Sequence, residues 1–215
     1  FMGNVLTSTD GNGNVTEYEY NSFGTLYSKT EPGDSTTPEN TVYYQCDLLG
    51  NLKRQHNIMG TDTDTSDDVV KLYTYNNQGM TLSTTRRNKD QTEEITTYNK
   101  YDVNGNVIYS TDGNGNQTTN EYDILNRLVS TNVMVTDVDG GTKIHRQVSE
   151  YDKNGNVLNQ KSMLLKNDGS GEILSENENT KTYDSLNRII EKKDPSGESI
   201  QKLNYNEDNL QSESF

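Results

Sequence analysis

The stretch Tyr101-Asp102-Val103-Asn104-Gly105-Asn106-Val107 recurs in imperfect copies from one end of the chain to the other, and a recurring unit restricts the possible folds more than any composition does. The nearest copies start at Tyr122, Tyr151 and Tyr183, with the copy at Tyr20 close behind. Weaker copies start at Cys46, Tyr75 and Tyr205. The first of these puts Cys in the Tyr position, the second has its Leu one residue late at Leu82, and the last reads one residue short, ending at Leu210.

Each position in the unit has a physical reason. A three-residue hairpin loop is a type I turn followed by one residue at positive φ, which Gly adopts without strain and Asn tolerates next best. The fifth position obeys this, with Gly24, Gly50, Gly79, Gly105 and Gly155 in some copies and Asn126, Asn187 and Asn209 in the others. The second position is Asp102, Asp123, Asp152 or Asp184 in the best copies, a carboxylate that can accept bonds from the turn's own backbone. Closing the loop sets the first and seventh residues face to face: Tyr101 with Val107, Tyr122 with Leu128, Tyr183 with Ile189. The second and sixth residues meet on the opposite face, so Asp123 with Arg127 and Asp184 with Arg188 are expected as exposed ion pairs of little worth.

Between units the chain reads as strand, turn, strand. Residues 106–111 and 116–121 flank Asp112-Gly113-Asn114-Gly115, and no helical period appears. A second class of turn lies on the opposite edge, short at Asp10, Asp112 and Asp194, longer over residues 31–40, 59–68, 86–93, 136–142 and 166–171. One uniform and one variable edge imply an all-β antiparallel meander of about fourteen to sixteen strands, some five to seven residues each. Sheet twist should coil such a ribbon into an open spiral. Residues 1–215 read as a single repeat domain of about seven repeats, cut in mid-repeat at both ends.

Only 28% of residues are hydrophobic and the net charge is −14, a balance that leans towards disorder. The repeat overrules it, because seven of the fourteen Tyr stand in first positions, in register with turn residues. A sheet layer with wet surfaces is expected rather than a thick core. The acidic balance, without a basic cluster, argues against nucleic acid and anionic membranes. No apolar run is long enough to span a bilayer, and no signal peptide is present. The single cysteine, Cys46, excludes an internal disulfide and is expected to be an inert, partly buried thiol.

The unit Tyr-Asp-x-x-Gly-x-Leu/Val, its Asn-Arg-Leu/Ile variant, and the Asp-Gly-x-Gly or Asp-Pro-x-Gly turns between copies resemble the YD (Rhs) repeats of bacterial Rhs and wall-associated polymorphic toxins, toxin-complex shell subunits and teneurins. The resemblance implies β-hairpins spiralling into a hollow shell that encloses a C-terminal toxic segment in bacterial members and serves cell adhesion in teneurins. Seven or so units would form an open portion of such a shell. The function expected is therefore a non-enzymatic structural module of a large secreted or surface bacterial protein. Its partner would be the rest of the parent chain, including the toxic segment. The alternative is a surface adhesion module binding carbohydrate or a protein.

Possible chemistry is sparse. Asp194-Pro195-Ser196-Gly197 matches the core of the self-cleavage motif found in many bacterial members, but Glu198-Ser199 replaces the Leu expected next, and a plain turn is the expectation. Residues 62–68 resemble the start of a calcium loop, yet Asp67 stands where Gly is needed and Tyr73 where Glu is needed. His56 and His145 lie in unrelated units without catalytic or ligand company. Asn14 and Asn116 begin formal glycosylation sequons. No catalytic residue, metal or cofactor is expected. The strands near Met2 and Leu210 would be left without partners by a cut in mid-repeat, so weak edge-to-edge self-association is expected.

Overall fold

The structure is a computed structural model that describes residues 3–34, 38–59, 69–88, 93–136, 140–206 and 211–214. Met2, Asn209, Leu210 and the acidic stretch 62–68 lie outside that set. Among the described residues there are seventeen β-strands and no helix. The fold is all-β and antiparallel throughout, from Thr-, Tyr- and Val-bearing segments punctuated by Asp/Asn and Gly.

The chain folds into two compact units, residues 1–99 with 112–114, and residues 100–111 with 115–215. The first holds β1 (Thr7–Thr9), β2 (Val15–Tyr20), β3 (Leu26–Glu31), β4 (Asn40–Cys46), β5 (Leu52–Met59), β6 (Val69–Tyr75), β7 (Thr81–Asn88) and most of β8 (Glu94–Tyr101). Each pairs antiparallel with the next in sequence. The second holds β9 (Val107–Thr111), β10 (Gln117–Tyr122), β11 (Leu128–Thr136), β12 (Thr142–Tyr151), β13 (Val157–Lys166), β14 (Ile173–Tyr183), β15 (Ile189–Lys193), β16 (Ser199–Tyr205) and β17 (Gln211–Ser214), again paired in sequence order. Strands are more numerous than expected and run from three residues in β1 to eleven in β14. The long ones absorb flanking Ser, Asn and Glu that sequence propensity assigns to loops, because their ladders are held by pairing with neighbours on both sides.

Register follows one rule. Tyr20 faces Leu26, Cys46 faces Leu52, Tyr122 faces Leu128, Tyr151 faces Val157 and Tyr183 faces Ile189, always six residues on. The copy starting at Tyr75 keeps the interval by facing Thr81, and its late Leu82 is simply the next residue. Tyr205 faces Gln211 rather than Leu210, and its ladder runs on without the one-residue shift that follows the Tyr122, Tyr151 and Tyr183 pairs. The same interval appears on the opposite edge, at Thr9 with Val15, Thr111 with Gln117, Thr136 with Thr142 and Lys193 with Ser199. Thr136 and Thr142, at the two ends of a connection expected to be a longer loop, face each other directly.

Little is fully buried. In the first unit Val42 and Val70 are 6% and 4% exposed, and Ser28 is buried too, its hydroxyl donating to Glu19 Oε2 at 2.8 Å. In the second unit the buried pair is Leu203 and Ser130. Half-burial over many positions replaces a core, as a low apolar content requires. Paired hydroxyls fill in, as in Thr30 with Thr41 at 3.0 Å and Thr85 with Thr96 at 2.9 Å.

Candidate functional site

The hairpin turns form a row of near-identical backbone devices. In the turn after Tyr101, the Asp102 N–H donates to the Asn106 carbonyl at 2.9 Å and the Gly105 N–H to the Asp102 carbonyl at 3.2 Å. Asp102 Oδ1 accepts the N–H of Asn104 at 2.9 Å and of Asn106 at 2.8 Å, so the carboxylate closes the turn from inside. The turns at Asn21, Asp47, Asn76, Asp123, Asp152 and Asp184 repeat those backbone bonds. So do the turns at Asp10 and Asp194 on the other edge, which the sequence reading treats as a second class. The conformation is one and the same because Asp or Asn in second position with Gly or Asn in fifth is all it needs. Asp194-Pro195-Ser196-Gly197 takes this plain turn, its carboxylate accepting from the N–H groups of Ser196 and Glu198.

The fifth residue has positive φ in each copy described: 79° at Gly24, 87° at Gly50, 79° at Gly79, 88° at Gly105, 91° at Gly155, and 60° and 62° at Asn126 and Asn187. Beyond the pair of first and seventh residues the ladder shifts by one residue, as where Tyr122 faces Leu128 and Glu121 faces Ser130, leaving Val129 out of the register.

The second and sixth positions are coupled more widely than the two Asp–Arg pairs expected from the sequence. Where the second residue is Asp, its other oxygen takes a donor from the sixth: Asn51 Nδ2 at 3.0 Å, Asn106 Nδ2 at 2.9 Å, Asn156 Nδ2 at 2.8 Å, Arg127 Nε at 2.6 Å and Arg188 Nε at 2.7 Å. Where it is Asn, as at Asn21 and Asn76, the sixth residue is Thr25 or Met80, and only the backbone bonds remain. The Arg pairs are half-buried, with Arg127 and Asp123 side chains 26% and 21% exposed, which corrects the expectation of exposed pairs. The N–H groups of Arg127 and Arg188 are the leading cause that holds the Asp123 and Asp184 carboxyls below their usual range, and the side chain of Asn106 is the leading one at Asp102.

The first-position tyrosines do more than pack against the seventh residue. The hydroxyls of five of them donate to the seventh-position carbonyl of the preceding copy, Tyr75 to Leu52 at 2.8 Å, Tyr122 to Val107 at 3.1 Å, Tyr151 to Leu128 at 2.7 Å, Tyr183 to Val157 at 2.9 Å and Tyr205 to Ile189 at 2.8 Å, and that of Tyr20 donates to the Val5 carbonyl at 3.0 Å. Cys46 has no reach for such a bond, and its thiol is a free, half-buried one facing Leu52. In the second unit the turns are linked as well. Asn126 Oδ1 accepts amide N–H from both Asn104 and Asn106 at 2.9 Å, and Asn187 Oδ1 accepts from Asn154 and Asn156 at 3.0 and 2.8 Å. Arg127 Nη1 donates to the Asp152 carbonyl at 2.7 Å while its guanidinium lies 4.7 Å over the Tyr151 ring, and Arg188 lies 4.2 Å over the Tyr205 ring.

Two open concavities lie on the sheet faces. One of about 590 Å³ in the first unit is lined by Tyr27, Tyr43, Tyr44, Arg54 and His56, with the Tyr27 and Tyr43 rings edge-on at 5.7 Å. Another of about 580 Å³ in the second unit is lined by Val133, His145, Gln147, Leu164 and Asn177. His56 and His145 thus belong to separate surfaces. Among the described residues no group of three or more His, Cys, Asp or Glu side chains could hold a metal ion. Nor, among the described residues, is there a helix long and apolar enough to cross a membrane.

No protein-family model matches the sequence, and no curated protein matches it. Solved structures do. The crystal structure of TcdB2-TccC3 without its hypervariable C-terminal region is similar over 93% of this chain at 12% identity and a TM-score of 0.31. That of TcdB2-TccC3-Cdc42 is similar over 94% at 12% identity and 0.26. The Photorhabdus luminescens Tc holotoxin pore, carrying a TccC3 mutation, is similar over 97% at 11% identity and 0.27. This chain spans only 14 to 15% of the length of those chains.

Proposed function

We propose that the chain is a non-enzymatic wall segment of a YD-repeat shell, belonging to a large secreted or surface bacterial toxin and enclosing a toxic segment of the same protein. The observation that carries this reading is the series of tyrosine hydroxyls, each tying its hairpin to the backbone of the one before. A wall needs like joints between successive units rather than one specialised cleft, and the tyrosine bonds recur as such joints. The test is limited proteolysis of the full-length parent protein. The enclosed segment should be cut far more slowly than the same segment expressed alone, and replacing Tyr122, Tyr151 and Tyr183 together by Phe should speed its cleavage. Equal cleavage of the free and parent-borne segment would overturn the reading.

The exposed Tyr27 ring, edge-on to Tyr43 beside Arg54, favours one second reading, an adhesion surface for carbohydrate or protein. Binding on a glycan array that Tyr27→Ala abolishes would put this reading in place of the wall.

A further inference from the structure

Four Asn-Gly pairs occur in the chain, Asn12-Gly13, Asn104-Gly105, Asn114-Gly115 and Asn154-Gly155, and all four Asn side chains are exposed at turn tips. Asn-Gly is the dipeptide best suited to spontaneous deamidation, because Gly offers no side chain to hinder attack by its own nitrogen. The Gly nitrogen bonds to the Asn Cγ and loses its proton to solvent. The side-chain nitrogen leaves as ammonia, and a five-membered succinimide remains. Water then opens either carbonyl–nitrogen bond, leaving aspartate or isoaspartate, so one amide and one water become one carboxylate and one ammonium ion.

Exposure does not distinguish the four sites, but their hydrogen bonds do. The Asn104 amide is held by Asn126 Oδ1 at 2.9 Å and the Asn154 amide by Asn187 Oδ1 at 3.0 Å. Among the described residues no hydrogen bond holds the Asn12 or Asn114 side-chain amide; Asn12 and Asn114 use only their backbone N–H, towards Asp10 and Asp112. In the turns at Asp10, Asp102 and Asp152 the Gly N–H is tied to the Asp carbonyl, so attack requires the turn to open. The Asn12 turn opens most readily, since it is closed by β1, three exposed residues long, whereas the Asn154 turn joins two ten-residue strands.

We propose that Asn12 and Asn114 are sites of spontaneous deamidation, and that Asn126 and Asn187 shield Asn104 and Asn154 by holding their amides. The left-handed Asn of one copy thus protects the Asn-Gly turn of the copy before it, which gives Asn a use at the fifth position that Gly could not serve. The product at Asn12 adds a negative charge, and isoaspartate adds a backbone atom to a hairpin whose facing residues are fixed at an interval of six.

The test is peptide mapping by mass spectrometry of the folded protein held at mildly alkaline pH, with the urea-unfolded protein alongside. In the folded protein Asn12 and Asn114 should convert first, with Asn104 and Asn154 several-fold slower. Unfolded, the four should convert at similar rates. Asn126→Gly keeps the turn's backbone but removes the acceptor, and should raise conversion at Asn104 several-fold while leaving Asn154 unchanged. Asn126→Asp keeps an acceptor and should keep Asn104 protected. Equal rates at all four folded sites, the same order of rates in urea, or an Asn104 rate indifferent to Asn126→Gly would each overturn the proposal.

Discussion

The Tyr183 hydroxyl donates to the Val157 carbonyl, 2.9 Å away in the preceding copy, while its residue pairs across the strand with Ile189. Burial pushes this phenol above its usual range, so it remains a donor well beyond neutral pH. Tyr183→Phe keeps the ring and removes the bond, and should cost about 1 kcal/mol in urea melts. Tyr98, 52% exposed, makes no such bond among the described residues, and Tyr98→Phe should leave the midpoint unchanged. Equal shifts for the two variants would show that the hydroxyl bond contributes nothing.

Gly155 has φ of 91°, and a Cβ built there meets nothing within 4 Å, so any penalty at this site is one of backbone conformation rather than of space. Gly155→Val should destabilise by about 1 kcal/mol or more, since a β-branched residue at positive φ is strained. Gly155→Asn should cost much less, because Asn126 and Asn187 already hold that conformation. A melt series in which Val and Asn cost the same would contradict this.

The fold was legible because its turns have a chemical requirement that shows in single residues: a positive φ calls for Gly105 or Asn126, and a closing oxygen calls for Asp102. The joints between copies were not, because Tyr in the first position satisfies the cross-strand pair as well as Phe would, and nothing in the pattern says where the hydroxyl goes. Register within the Tyr205 copy was misread for a related reason. Gln211 faces Tyr205 although Leu210 looks the better partner, because the turn's interval, not hydrophobicity, decides what faces what. The match between Asp102 and Asn106, set against Asn21 and Thr25, was visible in the sequence but needed the carboxylate's second oxygen to become meaningful.

Arg188 links its copy to the next through the Tyr205 ring, with its guanidinium carbon 4.2 Å from the ring centroid. Arg188→Lys should not be neutral, since a guanidinium plane stacks and bonds Asp184 at once whereas an ammonium does one or the other. In a double-mutant cycle of Arg188→Lys with Tyr205→Leu, the coupling energy should be about 0.5 to 1 kcal/mol. Additive losses would mean that the stacking is incidental.

Acid should loosen the Asp turns and spare the Asn turns. Side-chain donation from Asn106 is the main cause that lowers the Asp102 carboxyl, and Asp10, Asp47 and Asp152 are lowered by Asn14, Asn51 and Asn156 in the same way. A carboxyl lowered on folding stabilises the fold above its unfolded value, and that stability is lost as pH falls through the folded value. Thermal stability should therefore be flat at neutral pH and decline below about pH 4. Asp102→Asn should make that decline shallower, but it also lowers stability at neutral pH, because two amide donors then meet where Asn106 Nδ2 had an acceptor at 2.9 Å. Adding Asn106→Thr recreates the Asn21 and Thr25 combination, whose turn closes on the two backbone bonds to Asn21 Oδ1. The double variant should recover much of the loss at pH 7 while keeping the shallower acid decline. If melting temperatures across a pH series showed no recovery, or the acid limb were unchanged by Asp102→Asn, the second and sixth positions would not act as a matched pair.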